Sequence, residues 1–473
     1  VPSTTLRLTA AAAGDELVTR LAALPAELGI ERAFPPAALA EADRAARDPE
    51  LPDRDLTAIP FATIDPAGSR DLDQAFHLER DGGGFRLFYA IADLSSFVPH
   101  DGPLDDEAHR RGRTIYAPDR RIPLHPMSLS EDAASLLPNL ERPAFVWEFL
   151  LDAVGHVTST SVGRARIRSR RQLDYVPVQA SIDAGTADEP LRLLREVGEA
   201  RLVLERERGG ASLNVPETLI EHEGGRYLLV RRTVLPVEKW NAQLSLLTGM
   251  AAARLMLDAG VGILRTMATA DDDEFEWFRR RTLALHHPWP EGQPYGEYLD
   301  GLDGTEARQL SILHAAASLF RSAGYTPFDG APPAETIQAA VGAPYSHVTA
   351  PLRRLVDRYG LLICEALSAG RRPDDQVLAA LPALPNEMAR ANNLSGRLDH
   401  LALDAVEAAV LAPRIGETFD AVVLGVRKGV ATIQLSDPAV VARCDGDTHS
   451  GASIRARLEQ ADVATGTVRF SVA

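Results

Sequence analysis

Residues 61–94 constrain the fold most. FATID stops at Pro66, AFHLE runs into Gly82-Gly83-Gly84, and FRLFYAIADL returns, the alternation and punctuation of antiparallel strands joined by a tight turn. A hairpin-rich β core therefore starts here. Between the first two runs the chain reads DPAGSRDLDQ, so Asp65, Asp71 and Asp73 fall at the end of one strand and the start of the next. Three ionised carboxylates about 5 Å apart repel by roughly 3 kcal/mol per pair at an effective dielectric of 20, so such a cluster needs a cation or protons. Oxygen ligands favour Mg2+ or Mn2+. On spacing alone, a solvated acidic loop is the plainer account. An EF-hand is a poor match, because the acids miss its alternating positions and its closing glutamate.

At 473 residues the chain exceeds the roughly 250–300 at which one hydrophobic core stops growing, so two or three domains are expected. Helical periodicity marks Asp15 to Leu28, Pro36 to Arg47, Glu189 to Arg208, Val237 to Gly260, Ala307 to Ala323, Val348 to Tyr359 and Glu387 to Leu411. Residues 414–473 switch to short alternating runs such as FDAVVLGV and VATIQL, split at Arg427-Lys428-Gly429. The expected class is α+β, with an N-terminal region over 1–60 (a small helical or winged-helix module plus linker), a mixed domain over 61–410 and a small all-β barrel over 411–473.

The 66 acidic against 50 basic residues give a net charge of −16, which argues against coating nucleic acid by bulk charge and leaves a nuclease open. Lys239 and Lys428 are the only lysines; the remaining cations are arginines, the better bidentate phosphate ligands. Cys364 and Cys444 stand far apart, which removes a disulfide framework and fits a reducing cytoplasm. The longest apolar stretch, Leu244 to Leu264, is broken by Arg254 and Asp258 and reads as a buried helix rather than a membrane span. His400 and Asp404 share helical spacing without HExxH, so zinc is unsupported, and without a GxxxxGK loop no nucleotide cofactor is expected.

A second motif, PYSHVTAPLRRLVDRYG, sets Arg353 and Arg354 on the first turns of an expected helix, where arginines and a helix N-terminus favour phosphate. An ordinary amphipathic surface helix explains the same pattern.

Taken in order, TIDPAGSRDLDQAF, YAIADLSSFV, LDDEAHRRGRTIYAPDRRIPLHPMSLSEDAASLLP, RGGASLNVPE and YSHVTAPLRRLVD resemble the catalytic domain of the RNB-type exoribonucleases, ribonuclease II and ribonuclease R. The resemblance spans roughly residues 28–410, and the terminal barrel is similar to the S1-like, OB-fold domain that follows in that family. It implies Mg2+-dependent, processive hydrolysis of single-stranded RNA from the 3′ end to nucleoside 5′-monophosphates by a monomer. One or two Mg2+ ions are implied, with Mn2+ able to substitute. Asp65, Asp71 and Asp73 match the family's metal-site aspartates, and Arg353 matches the arginine on the scissile phosphate, with Arg354 beside it. Tyr116 is similar to the tyrosine that stacks on the terminal base. Tyr175 and Glu238 fall near the family's contacts to the ribose 2′-hydroxyl, which tells RNA from DNA. Arg427 and Lys428 are the barrel's candidate RNA contacts, while Phe419 and Phe470 alternate as core residues.

Three departures qualify the resemblance. Where the family's metal motif ends in two consecutive aspartates, this chain has Asp73-Gln74, leaving only an amide carbonyl as the last metal ligand. The second aromatic of the base clamp would fall near Leu213-Asn214-Val215, where none stands. About sixty residues precede the catalytic segment, too few for two upstream cold-shock barrels, so a wider entrance admitting structured RNA is one expectation. The competing reading is an RNA-binding protein that captures 3′ ends, with Gln74 having cost the metal.

Overall fold

The computed structural model describes residues 10–12, 14–118, 120–210, 217–223, 226–232, 234–304, 306–319, 323–435, 437–438 and 440–473. Its centre is a closed barrel of β1 (Phe61–Asp65), β2 (Gln74–Asp81), β3 (Gly84–Ala92), β4 (Glu141–Leu151) and β5 (Val157–Asp174). Successive strands pair antiparallel, and β1 closes the barrel by running parallel to β5, with Asp65 opposite Asp174. The hairpin expected at the glycine run is present: Asp81 pairs with Gly84 across Gly82 and Gly83, and Gly82 adopts φ 55°. Gly84 is required by contact as well, since a Cβ there would lie 2.0 Å from the Leu151 carbonyl oxygen.

Alternation along the strands separates two cores. Leu78, Leu87, Tyr89, Trp147 and Phe149 share one with α4 (Glu189–Glu207), α5 (Pro236–Ala259) and α6 (Leu355–Ser368). Phe61, Ala75, Phe88, Ala90 and Val146 share the other with α2 (Pro36–Arg47). Each fully buried side chain of leucine or phenylalanine size contributes about 1.5–3 kcal/mol, so the barrel is held firmly on both sides. Between β5 and α4 lies α3 (Tyr175–Asp183), capped by Asp174, whose carboxylate accepts from the Val176 amide.

The N-terminal region forms no core of its own among the described residues. Ala10–Ala12 pairs with the strand Arg226–Arg232, and α1 (Asp15–Glu27) buries Leu17, Leu21 and Leu24 against α7 (Leu384–Leu411). Three leucines on one helical face make a docking stripe, not a domain, so the expected helical or winged-helix module is corrected to two helices packed on different parts of the molecule. The segment expected to be helical from Val348 is also corrected: residues 348–350 are not helical, 351–353 form a turn, Arg354 bridges to Arg113, and the helix starts at Leu355.

The C-terminal strands β6 (Thr418–Arg427), β7 (Val430–Leu435), β8 (Val441–Asp445), β9 (Ser453–Asp462) and β10 (Thr467–Val472) close a second barrel in the order β6-β7-β8-β10-β9. Phe419 and Phe470 meet edge to face inside it at 5.7 Å. The molecule is therefore mixed α+β with a small all-β barrel at its end. Both cysteines are buried and free. No helix among the described residues is long and apolar enough to cross a membrane.

Candidate active site

The strand ends at one rim of the first barrel make the site. Asp65 is the last residue of β1, Gln74 is the first of β2, and the loop between them carries Asp71 and Asp73. Leu72 fixes that loop from behind: its side chain is fully buried, its amide donates to Ser135 Oγ at 3.0 Å, and its carbonyl accepts from the Leu136 amide at 3.0 Å. Opposite lies the turn 350–354, in which the amides of Arg353 and Arg354 both donate to the Ala350 carbonyl. The two segments are tied together, because the Leu352 amide donates to Asp73 Oδ1 at 2.8 Å and Arg353 Nε stands 3.6 Å from Asp73 Oδ2.

The result is a cavity of about 360 Å³ lined by Ile64, Asp65, Pro66, Ser69, Asp71, Asp73, Gln74, Tyr116, Arg121, Tyr175, Asn241 and Arg353. Its wall includes a small hairpin, Ile115–Ala117 with Arg120–Ile122, which presents Tyr116 and Arg121. Tyr116 is 40% exposed, so its ring face is open to a partner. Its hydroxyl donates to Asp71 Oδ2 at 3.4 Å. Arg121 pairs with Asp71 at 2.5 Å and with Glu131 at 2.9 Å. Tyr175, at the start of α3, accepts from Asn241 Nδ2 of α5 at 3.1 Å.

Electrostatics divide the three acids. Burial, reinforced by Asp71 and relieved by Arg353, pushes the Asp65 carboxyl up to about 7. Burial pushes Asp73 up to about 8 despite the neighbouring Arg353 and the Leu352 amide. Asp71 is matched by Arg121. The Asp65 carboxylate accepts no hydrogen bond among the described residues.

Seven of the residues singled out in the sequence meet in this cavity: Asp65, Asp71, Asp73, Gln74, Tyr116, Tyr175 and Arg353. Four lie elsewhere. Arg354 is turned away from the cavity and grips buried Asp357 with two bonds of 2.8 and 2.7 Å. Burial alone would lower its guanidinium, but the Asp357 carboxylate more than offsets this and holds it above the usual range. Glu238 caps α5, its carboxylate accepting from the Leu235 amide at 2.9 Å, and lines a separate cavity of about 410 Å³ beside α4. Arg427 ends β6, paired with Val430, and Lys428 with Gly429 forms the turn to β7, where Lys428 takes φ 52°. Leu213, Asn214 and Val215 lie outside the described residues. Gln74 lies at the cavity, yet its amide is already engaged: Oε1 accepts from Tyr89 at 2.5 Å and Nε2 donates to the Thr349 carbonyl at 2.6 Å.

Sequence reasoning missed Arg121 and Asn241. The first stands inside the quoted run TIYAPDRRIPLHP, where position five past a candidate stacking tyrosine was the available signal. The second gave none, being one polar residue on a long helix.

The donor chemistry fits a hard divalent cation. Asp65 is a partly buried carboxylate that accepts no hydrogen bond among the described residues, it shares the cavity with Asp71 and Asp73, and no histidine or cysteine lines that cavity, so the ligands on offer are oxygens. Among the described residues no three acids, histidines or cysteines stand converged as a finished cage, because Asp73 is drawn toward Leu352 and Arg353. Asp65 and Asp71 are thus the primary candidate pair.

Comparison with known proteins agrees with this architecture. Residues 53–367 match the RNB domain, and residues 417–473 match the RNase II-type exonuclease C-terminal S1 domain. Ribonuclease R of Escherichia coli is 30% identical over 321 residues, covering 64% of this chain and 39% of the relative. The chain thus spans about two fifths of that protein's length. Among solved structures, Mycoplasma genitalium RNase R in complex with ribose-methylated single-stranded RNA superposes with a TM-score of 0.84 at 18% identity, over 97% of this chain and 78% of that one. Yeast Ssd1, a pseudonuclease, superposes with a TM-score of 0.68 at 16% identity, over 87% and 54% of the two chains. With the RNB match covering most of the barrel, the acidic loop and the Arg353 turn, the chain belongs to the RNB-domain family.

Proposed function

We propose that this chain is a hydrolytic exoribonuclease that shortens single-stranded RNA from the 3′ end and releases nucleoside 5′-monophosphates. The observation that carries the reading is the meeting of Asp65, Asp71 and Asp73 with Arg353 and Tyr116 in one cavity. Similarity to Ribonuclease R and to an RNase R held on single-stranded RNA supports the choice of substrate.

Each residue has a chemical task. Arg353 is 39% exposed on its side chain and only loosely paired with Asp73, so its planar cation is available to a phosphate and stabilises negative charge as it develops. Tyr116 offers an exposed ring on which any terminal base can stack. Tyr175 and Asn241 place a hydroxyl and an amide on the same wall, where a ribose hydroxyl finds donors and acceptors. Asp65 and Asp71, with Asp73 adjoining, would hold Mg2+, or Mn2+ in its place. When bound, such a cation supplies a water nucleophile at neutral pH and neutralises the leaving oxygen. Burial of the acids keeps bulk water from screening the charges.

The test is incubation with a 5′-labelled single-stranded RNA in Mg2+, beside EDTA and an Asp73→Asn control, with product lengths read over time. Stepwise loss from the 3′ end that vanishes in both controls is expected. Intact RNA with retained binding would overturn the reading and leave a protein that captures 3′ ends.

A further inference from the structure

Gln74 stands where a metal motif of this kind would end in a second aspartate, and the structure shows what the amide does instead. The Thr349 carbonyl is an acceptor only, so the Gln74 nitrogen must face it, at 2.6 Å. Its oxygen then faces the hydroxyl of fully buried Tyr89. A carboxylate has no proton to give that carbonyl at neutral pH, so the position is built for a donor.

Thr349 begins the stretch that ends in Arg353. Its hydroxyl meets Ser245 Oγ of α5 at 2.8 Å, and the next amide, of Ala350, donates to Asp357 at 2.7 Å. At the far end, Leu352 donates to Asp73. Two neighbouring residues of the barrel rim, Asp73 and Gln74, therefore hold both ends of the turn that carries the phosphate-facing arginine. We propose that Gln74 is a positioning residue for Arg353 and not a ligand of the divalent cation. This rests on the exonuclease reading, which gives Arg353 its task, while the ligand question can be decided without turnover.

The experiment compares wild type, Gln74→Ala, Gln74→Asp, Tyr89→Phe and Asp65→Asn. Mn2+ dissociation constants are read by electron paramagnetic resonance, kcat and KM on a labelled oligoribonucleotide, and melting temperature alongside. Gln74→Ala and Gln74→Asp are expected to lose about 10- to 100-fold in kcat, the usual cost of removing an orienting partner. Mn2+ affinity of Gln74→Ala should stay within about twofold of wild type, while Asp65→Asn loses about tenfold or more; Gln74→Asp, which adds a charge beside the acids, is read on kcat alone. Tyr89→Phe keeps the Thr349 bond and should show a smaller fall in kcat with unchanged Mn2+ affinity. Should the alanine variant be too unstable to assay, this variant carries the test. Mn2+ binding weakened in Gln74→Ala as much as in Asp65→Asn, or kcat unchanged in both Gln74 variants, would overturn the proposal. If wild type turns over no RNA, the exonuclease reading fails, and the Mn2+ constants still decide whether Gln74 is a ligand.

Discussion

Asp73 accepts a hydrogen bond from the amide of Leu352 at 2.8 Å across 279 positions of sequence. That bond brings the first acidic segment and the Arg353 turn to one place. Asn at position 73 can still accept it through its carbonyl oxygen, so Asp73→Asn removes charge while keeping the tie. Turnover should fall by about 10²-fold or more. Melting temperature without added cation should hold or rise at pH 8, because the buried carboxyl, pushed up to about 8, no longer has to ionise. A fall in melting temperature together with activity would show that the bond, not the charge, matters.

Arg354 and Asp357 form a buried, doubly bonded pair that also holds the Ala350 amide. Breaking such a pair leaves one charge uncompensated, at a cost of about 3–5 kcal/mol. Arg354→Met should lower stability by that order in urea unfolding. Its catalytic loss should be smaller than that of Arg353→Lys, which loses the planar, bidentate geometry.

Stacking on an exposed ring is worth about 1–3 kcal/mol per base. Tyr116→Ala should therefore raise KM for RNA by roughly 5- to 160-fold with a smaller change in kcat, and Tyr116→Phe should restore most of the affinity. Steady-state kinetics on single-stranded RNA check both.

Arg121 pairs with Asp71 and would compete there with a bound cation. Partly exposed ion pairs contribute up to about 1 kcal/mol, so Arg121→Gln should tighten Mn2+ binding by up to about fivefold, measured by titration on the RNA-free protein. Weaker binding would mean that the arginine orders Asp71 for its ligand.

Glu407 is buried on α7 at the foot of the second barrel, and burial, with Asp404 adding to it, pushes its carboxyl up to about 8. Between its ordinary value near 4.5 and about 8, the folded chain keeps a proton that the unfolded chain releases. Stability must therefore fall as pH rises through that window. Glu407→Gln should nearly match wild type at pH 4.5 and exceed it by about 4 kcal/mol at pH 8.5, read from denaturant midpoints at the two values.

Local pattern carried much of this molecule. The glycine-punctuated strands, the acidic loop and the terminal β runs are visible because a two-residue period and turn residues are local signals. So was the cavity's acid and arginine content, once the motifs were taken in order. What stayed hidden depends on distant partners. Arg354 and Arg353 are adjacent and chemically identical, and Asp357, folded beneath the turn, draws one inward while the other lines the cavity. Gln74 read as a weakened ligand because Thr349, which needs its proton, lies far along the chain. Glu238 bonds the amide of Leu235, a residue without the hydroxyl or carboxylate that usually marks a helix start.

The bond from Leu352 to Asp73 also sets an order of events during synthesis. A ribosome will have released the barrel strands and the acidic loop long before residue 353 leaves its tunnel, so the acids exist for most of translation without their arginine. This topology withholds the assembled cavity until nearly the whole RNB domain has emerged.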